Sequence, residues 1–303
     1  MSIRPVLEQS PARPTMEGAG VHLHRAFGFG TPEVSDPFLL FDDFRNDDPR
    51  AYARGFPWHP HRGIETITYV LAGSVEHGDS LGNRGTLTGG DVQWMTAGSG
   101  ILHQEMPQGN ATGQMHGFQL WANLPAALKM TAPRYQDVKG ADIPEIVEDD
   151  GTRVKVIVGS FWGKTGPVDG IAADPQYLDI FVPAGKRRTF KLDRWRRAFA
   201  YVFEGSGNFR DADAPQGVLL EKEIAGQEVN IRDLSGNRTL VRFGTGDEVT
   251  VTAGPRGIRF LLISGQPLKE PVAWHGPIVM NSEAEIEQAM RDLRNGTFIK
   301  AAH

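Results

Sequence analysis

Two short pairs of residues in the first half of the chain have the composition and spacing of metal ligands. They are His59-x-His61 and His103-x-Glu105. Residues two apart on a β-strand point to the same face, so each pair can direct two donor atoms into one cavity if its segment is extended. Imidazole and carboxylate donors without thiolate favour iron, manganese, nickel, copper or zinc over calcium or magnesium. Three histidines and one carboxylate would leave one or two positions of the ion open to substrate or oxygen.

The same histidines also fit a simpler interpretation, because an isolated strand histidine is more often a hydrogen-bonded polar residue than a ligand. A third same-face pair, His22-x-His24, lies near the N-terminus and competes for the metal. This pair has no second pair of its own nearby, so its context is weaker. The pairs that begin at His59 and His103 are therefore the preferred candidates.

The segment between the two preferred pairs must hold them in place, and its composition predicts β-structure. From Ile64 to about Leu120 the chain is rich in β-branched and aromatic residues, and glycines interrupt it at short intervals. Short strands separated by glycine turns are typical of a β-barrel or sandwich rather than of alternating strands and helices. The preceding segment Pro37–Phe44 (PFLLFDDF) is apolar and acidic, and we assign it to packing rather than to chemistry.

An internal repeat indicates that the chain contains two such domains. Thr68–Ser74 (TYVLAGS) resembles Ala200–Ser206 (AYVFEGS), and Gly90–Gly98 (GDVQWMTAG) resembles Gly246–Gly254 (GDEVTVTAG), in the same order. The candidate ligands of the first copy align in the second copy with residues that cannot rebuild the site: Lys191, Asp193, Arg197, Arg259 and Leu261. We therefore predict one metal site per chain, in the N-terminal domain.

The C-terminal tail has the clearest helical pattern in the sequence. Ser282-Glu-Ala-Glu285 is a capping box, in which Glu285 is expected to reach back to the Ser282 amide. An apolar stripe with helical spacing follows, and Gly296 is placed as a C-terminal stop. These features predict a short amphipathic helix packed on a barrel.

The patterns together predict an all-β protein of two tandem barrels with this short C-terminal helix. A polar stretch rich in Asp, Glu and Pro separates the two copies of the repeat. We place the N-terminal, metal-binding barrel at residues 1–135 and the linker at 136–152. The second barrel, without a metal site and ending in the helix, is placed at 153–303.

Composition excludes several other classes of function. The chain has 303 residues, a formal charge of −5 and a pI near 6.0, which argues against a general nucleic-acid binder. It contains no cysteine, so thiolate metal sites, disulfides and cysteine nucleophiles are excluded. The N-terminus lacks the apolar core of a signal peptide, and no apolar run approaches the length of a membrane span. We expect a cytoplasmic protein that binds neither membranes nor nucleic acid directly.

Three long motifs resemble the pirin family of the cupin superfamily. They are HPHRGIETITYVLAGSVEH, GDVQWMTAGSGILHQEMP and HGPIVMNSEAEIEQAMRDLRNG, and the similarity runs from about residue 20 to residue 298. The resemblance implies a bicupin, in which two double-stranded β-helix (jelly-roll) barrels follow one another and the N-terminal one holds a mononuclear iron. It implies His59, His61, His103 and Glu105 as the metal ligands.

A second glutamate competes with Glu105 for the role of carboxylate ligand. Cupins at large often use a glutamate four residues after the second histidine of the first pair, and here that residue is Glu65. Pirins retain a glutamate at this position yet bind the metal through the later one. The resemblance therefore implies that Glu65 orients a ligand histidine through its other ring nitrogen.

Members of the family have been associated with quercetin 2,3-dioxygenase activity, so the resemblance implies an Fe(II) dioxygenase that cleaves flavonols. The flavonol 3-hydroxyl would bind the open metal position and lose its proton to Glu105 or Glu65. Oxygen would then add across C2 and C4, with loss of carbon monoxide. Four apolar residues near the ligands are candidates for the walls of a flat aromatic pocket, or equally for plain barrel core: Phe56, Trp58, Trp94 and Met115.

Two alternatives to this function stay open at the level of the sequence. Manganese, nickel, copper or zinc can also occupy a site of three histidines and a carboxylate. The family also has members associated with transcriptional co-regulation, which implies a non-enzymatic, iron-dependent regulator that acts through a protein partner in transcription or metabolism. Metal-dependent turnover of a flavonol under air separates the enzyme from the regulator.

Overall fold

The structure is a computed structural model, and it describes residues 1–30, 32–168, 172–209, 221–224, 227–230 and 234–300. Most of these residues lie in β-strands, as the alternating and β-branched sequence predicts. The strands as far as residue 147 are β1 (Val6–Pro11), β2 (Arg13–Glu17), β3 (Val21–Phe27), β4 (Phe38–Asp43), β5 (Phe56–His61), β6 (Ile64–Ala72), β7 (Ser74–Asp79), β8 (Arg84–Thr88), β9 (Val92–Thr96), β10 (Ile101–Gln108), β11 (His116–Asn123), β12 (Arg134–Val138) and β13 (Glu145–Val147).

The rest of the chain continues the same pattern. Its strands are β14 (Arg153–Val158), β15 (Ser160–Phe161), β16 (Lys164–Thr165), β17 (Gln176–Val182), β18 (Arg187–Lys191), β19 (Arg197–Asn208), β20 (Glu221–Ile224), β21 (Gln227–Asn230), β22 (Ser235–Gly236), β23 (Thr239–Phe243), β24 (Glu248–Gly265), β25 (Ala273–His275) and β26 (Ile278–Met280). The described helices are α1 (Pro32–Ser35) and α2 (Glu283–Asn295), with single 3-10 turns at Pro49–Ala51, Ala126–Leu128 and Gly140–Asp142. Neither α1 nor α2 has the length and apolar character needed to cross a membrane.

The chain forms two compact units. The first consists chiefly of Arg13–Asp142 and the described residues from Leu268 onward. The second consists of Met1–Ala12 and most of the described residues between Ile143 and Pro267. The all-β class and the short C-terminal helix predicted from the sequence are confirmed.

The units do not follow the predicted boundaries of 1–135, 136–152 and 153–303. The C-terminal helix groups with the first unit rather than the second, and the N-terminal strand β1 pairs with β23 of the second unit. The predicted linker also contains regular structure, because β12 pairs with β9 and β13 pairs with β14. The N-terminal strand and the C-terminal helix are assigned to their units by pairing between segments that are distant in sequence. Such pairing causes no local change of composition, so the sequence alone did not reveal it.

The first unit combines two antiparallel sheets. The larger has seven strands in the order β12-β9-β6-β11-β4-β3-β2, and the smaller has four in the order β5-β10-β7-β8. Val70 on β6, Val75 on β7 and Leu87 on β8 belong to one buried apolar cluster together with Met115. Complete burial of each such side chain contributes about 1.5–3 kcal/mol, so this cluster holds the two sheets together.

The second unit is built on one nine-stranded sheet whose central path is β1-β23-β19-β24-β17-β14-β13. Its buried core includes the aromatic side chains of Phe190, Phe209, Phe243 and Phe260. The repeated blocks occupy strands in both units, since the first copies lie on β6 and β9 and the second copies on β19 and β24.

Helix α2 begins after Ser282 and ends at Gly296, as predicted. The φ of Gly296 is 70°, in the left-handed region that glycine adopts readily. The N-terminal cap differs from the predicted capping box. Glu285 Oε2 accepts hydrogen bonds from the Ser282 hydroxyl at 2.8 Å and from the amide of Asn281 at 3.1 Å, rather than from the Ser282 amide. The side chain of Ile286 is buried in an apolar cluster of the first unit, together with Ile278 and Met280 of β26.

Candidate metal centre

The strands β5 and β10 position the three predicted histidine ligands. The two strands are antiparallel neighbours, with His59 opposite His103 and His61 opposite Ile101. Because side chains alternate along each strand, the three histidines share one face of the four-stranded sheet. Their spacing in the sequence and the register of the strands therefore bring them to the same place.

The three imidazoles form a compact cluster. Their candidate donor atoms all lie within 4.8 Å of one another. The Nε2 atoms of His59 and His61 are 3.1 Å apart, which is close to the roughly 3 Å between two nitrogens bound at right angles to one ion about 2.1 Å away. Backbone carbonyls hold the other ring nitrogens, since His59 Nδ1 lies 2.8 Å from the oxygen of Pro57 and His61 Nδ1 lies 3.0 Å from that of Pro277. With Nδ1 donating, Nε2 is left as the donor atom for a metal.

Burial keeps the imidazoles of His61 and His103 neutral at neutral pH. Desolvation, with a smaller contribution from His59, lowers the pKa of His61 to about 3. Desolvation and the neighbouring histidines also hold the pKa of His103 well below its usual range. Within the described part of the chain, the buried His103 Nε2 has no hydrogen-bond partner, and an unpaired buried polar atom costs free energy. Neutral imidazoles with an unpaired nitrogen fit a divalent transition metal, so this cluster could hold one.

Glu105, the predicted fourth ligand, lies at the same site but outside the compact cluster. It shares the face of β10 with His103 and lines a cavity that opens in front of the histidine cluster. Its Oε1 accepts a hydrogen bond from Thr68 Oγ1 at 3.0 Å. Burial raises the pKa of Glu105, while the nearby His59 and the hydrogen bond from Thr68 act in the opposite direction with smaller effect. The structure thus gathers the three histidines and leaves the carboxylate bonded to Thr68.

Glu65, the rival carboxylate, lies on the other face of its strand. It is three residues before Thr68 on β6, so its side chain points away from the face that lines the cavity. Thr96 Oγ1 donates to Glu65 Oε1 at 2.7 Å, and burial raises the Glu65 pKa to about 7. The predicted bond from Glu65 to a ligand histidine is not among its contacts. The carbonyls of Pro57 and Pro277 hold the ring nitrogens of the first pair instead.

The competing pair His22-x-His24 faces away from the cluster. Both residues lie on β3, where they alternate with Val21, Leu23 and Arg25. The alternating three residues line the cavity in front of the histidine cluster. The two histidines therefore occupy the opposite face of β3 and are separated from the candidate metal position by the strand itself.

A cavity of about 470 Å³ opens in front of the histidine cluster. Pockets of about 300–1,000 Å³ are typical for small-molecule ligands. Phe56 and Trp58 line this cavity, as the sequence suggested. Trp94 and Met115 do not, because both are fully buried away from it in the barrel. The aromatic wall is therefore only partly the one predicted.

Several residues of the cavity wall were not predicted from the sequence. The ring of Trp121 packs edge-on against His61 with centroids 5.0 Å apart, and Phe29 and Arg25 also line the cavity. Asp42 also lines the cavity, so the segment PFLLFDDF is not packing alone. The sequence did contain one signal for Asp42, because two aspartates end a strand that is otherwise apolar. Trp121 gave no such signal, since a strand tryptophan fits a core position equally well.

Comparison with known proteins identifies the family of the chain. The model of the Pirin family matches residues 20–122, and that of the Pirin C-terminal cupin domain matches residues 177–299. A pirin-like protein of Caulobacter vibrioides is 42% identical over 98% of this chain and 100% of its own length. The chain belongs to the pirin family. The two matched domains also confirm the predicted fold, a bicupin of tandem cupin barrels.

Three other similar proteins have names that specify an activity or a bound metal. A Pseudomonas aeruginosa protein, provisionally named a quercetin 2,3-dioxygenase, is 42% identical over 97% of each chain. The crystal structure of quercetin 2,3-dioxygenase from Acinetobacter baumannii superposes with a TM-score of 0.83 at 29% identity, covering 98% of this chain and 99% of that one. A bacterial pirin from Escherichia coli, solved in complex with nickel(II), shares the fold with a TM-score of 0.61 at 20% identity, covering 86% of this chain and 99% of that one.

Proposed function

We propose that this pirin is a mononuclear Fe(II) dioxygenase that cleaves flavonols such as quercetin, with His59, His61, His103 and Glu105 as the metal ligands. One observation carries the proposal: three imidazoles, of which those of His61 and His103 are buried, converge beside a cavity of small-molecule size. The relatives provisionally named quercetin 2,3-dioxygenases support the choice of substrate. Manganese, nickel, copper and zinc would suit the same donors as iron does. Among these metals we propose iron.

Glu105 is the group best placed to accept a proton from the substrate. A metal held by the histidines would supply positive charge that lowers the pKa of a flavonol hydroxyl. Glu105 lines the cavity, and burial raises its pKa, which favours its protonated form after transfer. Thr68 donates a hydrogen bond to Oε1, so a carboxylate that leaves the metal would stay beside the cavity, where it can act as a base. Glu65 does not line the cavity, so we assign it a structural role.

The cavity walls would hold a flat aromatic substrate and keep water from it. Trp121 packs on His61, and Phe56 lines the same cavity. Trp58 also lines it and is 53% exposed, which places this ring at the entrance. Aromatic faces of this kind stack on flat ligands at centroid distances of about 4.5–7 Å.

The proposal predicts oxygen-dependent turnover that requires the histidine cluster. Iron-loaded protein is expected to consume quercetin and oxygen together and to release carbon monoxide. His61→Ala removes one donor, so its rate is expected to fall to that of free iron in buffer at equal total iron. His22→Ala is the matched control, because His22 is an exposed histidine on the far face of β3. Circular dichroism checks that each variant is folded.

One result of this experiment would show that the protein does not catalyse the reaction. If His61→Ala consumes quercetin as fast as the parent, the reaction belongs to metal free in solution. The regulatory function through a protein partner would then replace the dioxygenase function.

A further inference from the structure

A row of polar side chains crosses the seven-stranded sheet at one level. In the strand register Arg25 lies opposite Asp42, and Asp42 lies opposite Gln119. Gln119 lies opposite Thr68, and Thr68 lies opposite Gln93. Five adjacent strands thus each contribute one polar residue to the same line. Polar groups inside a barrel cost free energy unless they are hydrogen-bonded, so each member of this row needs a partner.

Much of the hydrogen-bonding capacity of the row is satisfied within the protein. Arg25 Nε and Nη2 donate to the two carboxylate oxygens of Asp42, both at 2.8 Å. The single hydroxyl hydrogen of Thr68 has two acceptors within reach, Glu105 Oε1 at 3.0 Å and Gln119 Oε1 at 2.8 Å. Arg25 is therefore held firmly in the wall, while Thr68 can serve only one of its acceptors at a time.

The capacity that is left over lies on Gln119 and Asp42. Gln119 Oε1 shares the hydroxyl hydrogen of Thr68 with Glu105, and Gln119 Nε2 has no acceptor in the part of the chain that the structure describes. Each Asp42 oxygen accepts one bond from Arg25 and retains a second lone pair. Both side chains line the cavity and lie opposite one another on β11 and β4. A donor beside an acceptor matches a hydroxyl group, which both donates and accepts.

Asp42 and Gln119 lie at some distance from the histidine cluster, and this distance limits which molecules can reach both places at once. Trp121, which packs on His61, lies two residues after Gln119 on the same face of β11, and this separation is roughly 7 Å along the strand. Apolar side chains such as Leu40 line the same cavity. A flat molecule bound at the histidines and lying along these apolar walls would present a second ring to Asp42 and Gln119.

We propose that Asp42 and Gln119 form a recognition subsite for a phenolic hydroxyl on a ring remote from the metal-binding end of the substrate. Asp42 accepts the hydrogen of this hydroxyl, Gln119 Nε2 donates to its oxygen, and Arg25 fixes Asp42 in place. The subsite rests on the proposed flavonol function and narrows the substrate class to polyhydroxylated aromatics.

Two probes separate the subsite from the metal-binding end. Quercetin has hydroxyls on its other rings, whereas 3-hydroxyflavone keeps only the hydroxyl at the metal-binding position. Their dissociation constants can be measured by fluorescence quenching with metal-loaded protein in the absence of oxygen. The parent is expected to prefer quercetin by about tenfold, the gain of one or two hydrogen bonds. Gln119→Leu is expected to reduce this preference to below about threefold, with little change for 3-hydroxyflavone.

Matched variants make the outcome unambiguous. Gln108→Leu removes an exposed glutamine of β10 that does not line the cavity, and it is expected to keep the parent preference. Asp42→Asn keeps the shape of the side chain, replaces an acceptor oxygen and is expected to lower the preference as Gln119→Leu does. Because the readout is a ratio of two affinities, a general loss of folded protein cannot imitate it.

Three results would overturn the subsite: no preference in the parent, a preference unchanged in Gln119→Leu and Asp42→Asn, or an equal loss of affinity for both probes. The test does not depend on turnover, because oxygen is absent. A parent that prefers quercetin but does not cleave it in air supports the subsite and contradicts only the dioxygenase function.

Discussion

Glu65 and Glu105 are both buried glutamates of the first barrel, yet their surroundings give them different chemistry. Glu105 faces the cavity and the histidine cluster, and it accepts a hydrogen bond from Thr68. Glu65 points to the other face of its sheet and accepts from Thr96. Burial raises the pKa of both carboxyl groups. The face of the strand, rather than the distance in sequence from the histidines, separates the candidate ligand from the structural residue.

Glu65 makes the stability of the protein depend on pH. Its pKa of about 7 in the folded protein lies above the 4.5 of an ordinary glutamate, so between these pH values the folded protein binds more protons than the unfolded chain. Stability therefore falls as the pH rises through this window. Glu65→Gln removes the effect, and the free energy of unfolding of the variant relative to the parent is expected to rise by on the order of 3 kcal/mol across the window. Urea unfolding of the metal-free proteins measures this difference, and a constant difference would contradict the assignment.

The two glutamates are also expected to differ in their effect on metal affinity. Glu105→Gln removes a charged ligand, so we expect the affinity for Fe(II) to fall by at least about tenfold. Glu65→Gln is the matched control and is expected to retain the parent affinity. Competition with a chelator of known affinity measures both. The opposite order of effects would make Glu65 the ligand.

At the scale of the strands, periodicity explains how much of the site could be predicted. The four candidate ligands lie on β5 and β10, where alternation along a strand is readable from the sequence. Asp42 and Trp121 come from β4 and β11, strands that reach the cavity only through the tertiary fold. The β-class and the C-terminal helix follow from local composition. The division of the chain into two units cannot be predicted from local composition, since it depends on pairing between distant segments.

The C-terminal helix is tied to the strand end that carries a candidate ligand. Arg62 follows His61 directly and is almost fully buried. Its Nη1 donates to Asp292 of α2 at 2.8 Å, and its Nε donates to the carbonyl of Ser99 at 2.7 Å. The guanidinium also lies over the ring of Phe298, 4.2 Å from its centroid. The helix therefore fixes the turn after β5 as well as covering the barrel.

Breaking this buried pair is expected to destabilise the first barrel. Asp292→Ala leaves the Arg62 guanidinium buried without its carboxylate, which costs about 3–5 kcal/mol in comparable pairs. Asp48→Ala, which breaks an exposed pair with Arg50, is the matched control and is expected to change stability little. Urea unfolding of both variants measures the difference. Equal stability of the two variants would show that the helix does not depend on this pair.

At the scale of the whole molecule, the candidate metal site belongs to the first unit, and we expect the second unit to have a structural role. Among the residues that the structure describes, the one cluster able to hold a metal is that of His59, His61 and His103 in the first unit. The second unit has a buried core rich in phenylalanine, including Phe190 and Phe260. We therefore expect one metal per chain and a structural role for the second unit.

Anomalous scattering at the iron absorption edge, from crystals grown with Fe(II) in the absence of oxygen, tests this account most directly. We predict one strong peak per chain, between the Nε2 atoms of His59 and His61 and the imidazole of His103. A strong peak beside His22 and His24, a peak in the second unit, or no bound iron in well-folded protein would contradict the proposed metal centre.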